Sequence, residues 1–374
     1  MAQTFPEMKK KLGFGFMRLP MNGSRIDQTE TNQMVDLFLE NGFNYFDTAH
    51  GYHNGLSELT LRDCLTSRYP REAYLLTNKL SDPYFQKMED IRPFFEQQLT
   101  DCGVDYFDFY LMHAQGYINY DKYQRCQAYE MAQELKAEGK IRHVGLSFHD
   151  SADFLERILT DHPEVEVVQI QLNYFDYEDT GIQAGKCLEV CEKHGKPVIV
   201  MEPVKGGSLV KLPEKADLIF RSLGSLSNAS YAIRFAAGFE SVAMVLSGMS
   251  SLAQMQDNIS YMKEFKPLSD REQEAVDQVC GIIKEMNLIP CTACRYCVEA
   301  NHCPKDIRIP DLFSCLNAKT KFHDWNQDYY YNEILTIRNG KASDCIKCGK
   351  CESVCPQHLE IRKLLQEVAE VFGN

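Results

Sequence analysis

Eight of the 15 cysteines crowd into residues 291–355, in two runs. The first is Cys291-Thr-Ala-Cys294-Arg-Tyr-Cys297, then five residues, then Cys303-Pro304. The second is Cys345-Ile-Lys-Cys348-Gly-Lys-Cys351, then three residues, then Cys355-Pro356. The second run fits C-x2-C-x2-C-x3-C-P in full. At that spacing one tight loop wraps a cubic cluster and reaches three irons, and the fourth cysteine serves the other cluster. The expected ligand sets are therefore crossed. Cys291, Cys294, Cys297 and Cys355 hold one [4Fe–4S] cluster; Cys345, Cys348, Cys351 and Cys303 hold the other. The first run departs from the pattern, with five residues rather than three before Cys303. Zinc prefers two pairs of ligands, and two triplets with a trailing Cys-Pro fit that count poorly.

A second set of reactive side chains sits at the ends of short apolar runs: Asp47 and Tyr52, Lys79, and His113. Together they make an acid–base set. A phenol is a weak proton donor at neutral pH, and a nearby buried ammonium favours its phenolate and lowers its pKa. The aspartate keeps the lysine charged, and the histidine orients a carbonyl by a hydrogen bond. Such a site protonates a carbonyl oxygen as hydride reaches the carbon.

These residues need elements to hold them. Eight strands are predicted: 12–16, 44–47, 73–79, 107–113, 143–147, 167–173, 197–201 and 241–247, rich in Val, Ile, Tyr and Phe. Helices are predicted between them, over 31–40, 57–67, 93–102, 123–138, 152–160, 183–194, 228–237 and 252–262. Pro93 suits a first helical turn. Eight strand–helix units over some 250 residues are the count of a (β/α)8 TIM barrel, whose active site lies at the C-terminal strand ends. A doubly wound sheet competes, but Gly13-Phe-Gly15 lacks the third glycine of a dinucleotide-binding turn. The chain divides into an α/β barrel over 1–265, a helical connector over 266–290 and a small α-helical, ferredoxin-like iron–sulfur domain over 291–374. Ser269 with Glu272 suits a capping box. Cys64, Cys102, Cys126, Cys187 and Cys191 read as small buried hydrophobes. Trp325, Tyr329, Tyr330 and Tyr331 suggest packing against the barrel.

Several segments resemble the aldo-keto reductases: FDTAHGYHNGLSE (46–58), LLTNK (75–79), GVDYFDFYLMH (103–113) and GKIRHVGLSFHD (139–150). The opening GFGFMRLP, the segment VMEPVKGGSL and the cysteine tail are similar to the subgroup with a C-terminal ferredoxin-like 4Fe–4S domain. The resemblance implies Tyr52 as general acid, tuned by Lys79 and Asp47, with His113 on the substrate carbonyl. It implies Ser147 and Gln169 as contacts of the nicotinamide carboxamide. Met201 replaces the aromatic residue that stacks on the ring, and Phe148 stands where asparagine is common. The loop with Gly248, Met249, Ser250, Gln254 and Asn258 is implied for the adenosine end. It carries no Lys or Arg, although a 2′-phosphate is best held by cations. NADH and NADPH both stay open, with Lys205 or Arg234 as cations supplied from elsewhere. A bound flavin, which would split a hydride into single electrons, also stays open.

The formal net charge of −13 excludes the basic face of a nucleic-acid binder. No stretch reads as a membrane span or a secretory signal, so a cytoplasmic location is expected. The first reading is thus an oxidoreductase for a small carbonyl/alcohol pair, with a ferredoxin or similar redox partner. Two rivals stand beside it: a nicotinamide-independent enzyme fed through the clusters, and an electron-transfer or sensing module whose barrel only binds a ligand. Tyr117, Tyr120 and Phe148, with the loops over 115–123 and 205–226, are the candidates for shaping specificity.

Overall fold

The computed structural model describes residues 5–373 except 118, 180–181, 287, 300 and 322–326. It divides into two compact units, Met1–Pro203 with Ala229–Ser269, and Val204–Asn228 with Asp270–Asn374.

The first unit is a closed parallel barrel. Its strands are β1 (Leu12–Gly15), β2 (Tyr45–Asp47), β3 (Leu75–Leu80), β4 (Phe107–Gln115), β5 (Ile141–Phe148), β6 (Val167–Gln171), β7 (Val198–Met201) and β8 (Val242–Ser247). Each strand pairs with its sequence neighbour, and β8 pairs back onto β1, so no edge is left open. A two-stranded ribbon, Met21–Asn22 with Arg25–Ile26, lies outside the barrel.

The helices are α1 (Gln28–Glu40), α2 (Ser57–Leu61), α3 (Met88–Cys102), α4 (Tyr120–Arg125), α5 (Ala128–Ala137), α6 (Ala152–Asp161), α7 (Ala184–Lys193), α8 (Glu214–Arg221), α9 (Asn228–Ala237) and α10 (Leu252–Met262). All eight predicted strands are present. Two helix predictions and one loop prediction change. The helix expected from Pro93 begins at Met88, because the Asp90 carboxylate accepts the Gln86 and Lys87 amides at 2.9 and 3.2 Å and starts the turn upstream. The helix expected over 123–138 is two, broken where Gln127 adopts φ 51°. The predicted loop over 205–226 contains α8. Cys64, Cys102, Cys126, Cys187 and Cys191 are buried, as expected of small hydrophobes.

Strand alternation fills the barrel in layers. Tyr45, Leu75, Phe109, Leu111, Val167, Ile199, Met244 and Leu246 form one apolar cluster, closed by Phe5. Gly145 leaves no room for a side chain there: a Cβ would sit 2.5 Å from a Val167 methyl. Two residues further along the same faces the character changes. Tyr45 is followed by Asp47, Leu111 by His113, Val167 by Gln169 and Ile199 by Met201.

The second unit contains α8, α11 (Asp270–Glu285), α12 (Ile309–Lys321), α13 (Gln327–Tyr329), α14 (Lys350–Ser353) and α15 (Ile361–Phe372). Its core joins Ile307, Leu312, Phe313, Leu365 and Val368. Tyr331 belongs to this core, stacked on Phe372 at 4.4 Å. Tyr330 is exposed, and Trp325 lies outside the described residues. Among the described residues no helix is long and apolar enough to cross a membrane.

Candidate active site

The polar layer above the barrel core gathers the predicted acid–base set. Asp47 ends β2, Lys79 lies near the end of β3, and both are buried. Lys79 Nζ donates to Asp47 Oδ1 at 2.7 Å and to the Thr48 carbonyl at 2.8 Å. Gln169 Nε2 donates to the other Asp47 oxygen at 3.4 Å. Burial pulls the Lys79 ammonium down and pushes the Asp47 carboxyl up, and the ion pair opposes both shifts. Neither charge is affordable there without the other.

Tyr52 follows in a short helical turn, with Lys79 Nζ 5.1 Å from its ring centre. Its ring meets the His113 ring edge-on at 6.1 Å. The phenol differs from the expectation in sign. Burial, then Asp47 and Glu202, push its pKa well up, and Arg18 opposes them. Tyr52 keeps some exposure to solvent, which tempers the burial effect without reversing its sign. The lysine stands over the ring face while two carboxylates act on the phenol, so the resting group is a firmly protonated acid. Arg18 and Glu202 were not assigned roles from sequence. Arg18 lies in the loop after β1, and its guanidinium is 4.0 Å from Glu202. The signal was available in their positions, since both sit just past a strand end.

His113 is held well below its ordinary value, by burial first and then by the Lys79 charge, so its ring is neutral. Its Nδ1 is 2.6 Å from the Ser81 hydroxyl. With Ser81 donating, the ring proton sits on Nε2.

Behind the pair lies a polar support that the sequence reading missed. Glu58 is fully buried and accepts from Asn78 Nδ2 at 2.7 Å and Gln98 Nε2 at 3.0 Å. Gln98 also donates to the Lys79 carbonyl at 3.1 Å and accepts from the Tyr110 hydroxyl at 2.6 Å. His50 Nδ1 lies 2.6 Å from Glu58, which raises the imidazole pKa. This network fixes the backbone that carries Lys79. Its members come from α2, β3, α3 and β4, so only Glu58, inside the quoted FDTAHGYHNGLSE segment, had a sequence signal.

The cysteine loops occupy the second unit. Cys303, Cys345, Cys348 and Cys351 line one cavity with Ile307 and Arg362. Cys297 has Cys294, Cys291, Cys355 and Cys351 among its electrostatic neighbours. Burial pushes the thiols of Cys297, Cys351 and Cys355 up, Cys351 to about 11. Ligation needs thiolates, so bound iron would supply the positive charge that these sites otherwise lack. An all-sulfur donor set of this kind fits iron–sulfur ligation.

Residues 11–280 match the aldo/keto reductase family model, and residues 290–360 match a 4Fe-4S dicluster domain. The chain belongs to the aldo/keto reductase family. It is an oxidoreductase of that family with an iron–sulfur domain. It is 29% identical over 195 residues to an NADH-specific methylglyoxal reductase of Escherichia coli, covering 47% of this chain and 57% of that one. It is 24% identical over 261 residues to L-galactose dehydrogenase of Arabidopsis thaliana, covering 65% and 81%. An aldo-keto reductase from Bacillus halodurans in its holo form is 25% identical at a TM-score of 0.57, covering 72% of this chain and 91% of that one. A Klebsiella pneumoniae aldo/keto reductase in complex with NADP and acetate shares the fold at 19% identity and a TM-score of 0.58, covering 72% and 90%.

In this aldo/keto reductase barrel the residues implied for the nicotinamide end fall at neighbouring strand ends. Ser147 and Gln169 are register partners on β5 and β6, and Gln171 pairs with Met201 on β6 and β7. The Ser147 hydroxyl accepts the Ala114 amide at 2.8 Å. Gly248 lies under the Arg18 side chain, where an added Cβ would come within 3.3 Å. Met249 is buried and Ser250 exposed. Ser250 donates its amide to Gln254 Oε1 at 2.7 Å, and Asn258 donates to the Ser247 hydroxyl at 2.7 Å. The Leu252 amide, in the first turn of α10, donates to the Glu30 carboxylate at 2.7 Å. The two substitute cations are engaged elsewhere. Arg234 binds the Lys266 and Pro267 carbonyls, and Lys205 binds Gln357. Of the candidate pocket residues, Phe148 is buried, Tyr117 is exposed, and the buried Tyr120 donates its hydroxyl to Asp161 at 2.8 Å.

Proposed function

We propose that the barrel reduces a small carbonyl compound to its alcohol with NADH, while two [4Fe–4S] clusters carry single electrons to or from a redox partner protein. The observation that carries the reading is the buried Lys79–Asp47 pair beside a protonated Tyr52 and a neutral His113. A nicotinamide held at the strand ends by Ser147 and Gln169 would supply the hydride chemistry.

His113 donates from Nε2 to the carbonyl oxygen and orients it, with Ser81 fixing its tautomer. Tyr52 gives its phenolic proton to that oxygen as negative charge develops there. The Lys79 ammonium over the ring and the nearby Arg18 then stabilise the phenolate that remains. A phenol with a raised pKa favours this direction at neutral pH, and the reverse oxidation gains from alkaline conditions. Ser147 and Gln169 hold the carboxamide, and Met201 packs through its soft sulfur.

Two features support NADH over NADPH. The loop over 247–258 has no Lys or Arg, and Glu30 sets a carboxylate on the first turn of α10, where a 2′-phosphate would be repelled. Cys291, Cys294, Cys297 and Cys355 hold one cluster, and Cys303, Cys345, Cys348 and Cys351 the other. They supply one-electron chemistry.

The test is the oxygen-free enzyme with NADH and methylglyoxal as probe. Tyr52→Phe is expected to lower kcat at least 10²-fold, the size of a lost general acid, with NADH binding unchanged. An unaffected rate removes Tyr52 from the role. Tighter binding of NADPH than of NADH overturns the cofactor assignment.

A further inference from the structure

Lys205 follows the seventh barrel strand by four residues but belongs to the second unit. It is buried, only 3% exposed, and it adopts φ 48°, unusual for a side-chain-bearing residue. Its ammonium donates to Gln357 Oε1 at 2.8 Å across 152 residues of sequence. Gln357 lies two residues after Cys355. The next residue, Gly206, presses on the other cysteine loop: a Cβ there would sit 2.2 Å from the carbonyl oxygen of Thr292, the neighbour of Cys291. The turn over 205–206 therefore meets both loops that carry the set Cys291, Cys294, Cys297 and Cys355.

The amide of Gln357 has a direction. An ammonium has donors only, so it takes the oxygen and fixes which end of the amide faces it. The other end, Gln357 Nε2, is buried and has no hydrogen-bond partner among the described residues. A buried N–H without an acceptor is costly. The Cys355 sulfur already interacts with backbone amides of Gln357, His358 and Leu359. A cluster held on these thiolates adds further sulfur acceptors and net negative charge. Hydrogen bonds to sulfur and nearby charge set cluster potentials. A buried cation and an unsatisfied buried N–H two residues from Cys355 both stabilise the more negative, reduced state.

We propose that Lys205 and Gln357 form a tuning pair that raises the reduction potential of the cluster on Cys291, Cys294, Cys297 and Cys355, and leaves the other cluster untouched. Lys205 is here a positioning residue, acting through the Gln357 amide and through its charge. The proposal rests on the two-cluster reading above. It also gives the Val-Lys-Gly-Gly turn a purpose other than cofactor phosphate binding.

The test is a redox titration of the anaerobically purified full chain, followed by electron paramagnetic resonance, with iron and sulfide content measured beside it. Lys205→Met and Gln357→Leu are each expected to move one midpoint to more negative values and leave the other in place. A tenfold change in the oxidised-to-reduced ratio at fixed potential corresponds to 59 mV for one electron. Lys205→Arg, which keeps the charge and the donors, should restore most of the shift. Unchanged midpoints in both variants at full iron content overturn the tuning pair. Equal shifts of both clusters overturn its selectivity. A wild-type chain that lacks iron and sulfide instead overturns the cluster reading itself. Should Lys205→Met lose iron, Gln357→Glu decides alone, because it removes the Nε2 donor while keeping an oxygen acceptor for the buried Lys205 ammonium.

Discussion

The barrel mouth and the cysteine loops solve the same problem in opposite ways. Each gathers groups that are costly to bury. At the mouth, opposite charges compensate within the protein: Asp47 against Lys79, with Gln169 and the Thr48 carbonyl completing their hydrogen bonds. In the cysteine loops the groups are alike. Burial pushes the thiols of Cys297 and Cys351 up, helped by neighbouring sulfurs and, at Cys351, by Glu352. The barrel site is thus preorganised by the fold, and in the proposed reading the cysteine unit is organised by the clusters it binds. The core of the second unit itself includes Cys297 and Cys351, with Cys291, Cys303, Cys345 and Cys355 packed against it.

The sharpest break of this comparison is iron removal. Chelation under anaerobic conditions should abolish amide-exchange protection around 291–303 and 345–359, while β4 and β5 keep theirs. Equal protection in both regions would show that the second unit is also preorganised. Next is Lys79→Met, which strands a buried carboxylate. It should cost about 3–5 kcal/mol in chemical denaturation of the barrel. The paired change Lys79→Met with Asp47→Leu should recover most of that stability but no activity. A Lys79→Met protein as stable as the wild type would mean that Asp47 is neutral in the fold.

A smaller effect is expected of Ser81→Ala. It frees His113 Nδ1 and should lower kcat about tenfold, in line with the loss of one buried hydrogen bond of about 1–3 kcal/mol, with little change in NADH binding. A full rate would move control of the His113 tautomer elsewhere. The smallest effect concerns pH. Burial acts to raise Glu166, but His143, Lys136 and the Val144 amide outweigh it and hold its pKa down to about 2. A depressed carboxyl contributes stability that is complete above pH 4.5 and is lost as pH falls from 4.5 towards 2. Glu166→Gln should flatten barrel stability in that window, and an unchanged acid profile would assign the acid lability to other carboxylates.

Much of both regions was legible in the chain. Cysteine spacing is covalent, so a C-x2-C-x2-C run carries its ligating geometry with it. Strand alternation placed Asp47, Lys79 and His113 on inward faces two residues beyond apolar positions, and the family resemblance supplied Tyr52. The helix start at Met88 was not legible from Pro93, because a carboxylate three residues upstream set it. The sign of the Tyr52 shift was not legible either, since Glu202 and Arg18 reach the phenol from strand ends far away in sequence.

The sequence alone determined the layered barrel pattern, the acid–base residue types and the two cysteine runs, because each follows from a short period or a fixed spacing. Only the tertiary structure decided which charges face Tyr52, that Glu58 and Gln98 brace the backbone of Lys79, and that Lys205 meets Gln357. Those contacts depend on barrel register, ring closure and chain crossover, which bring together atoms that no local rule relates.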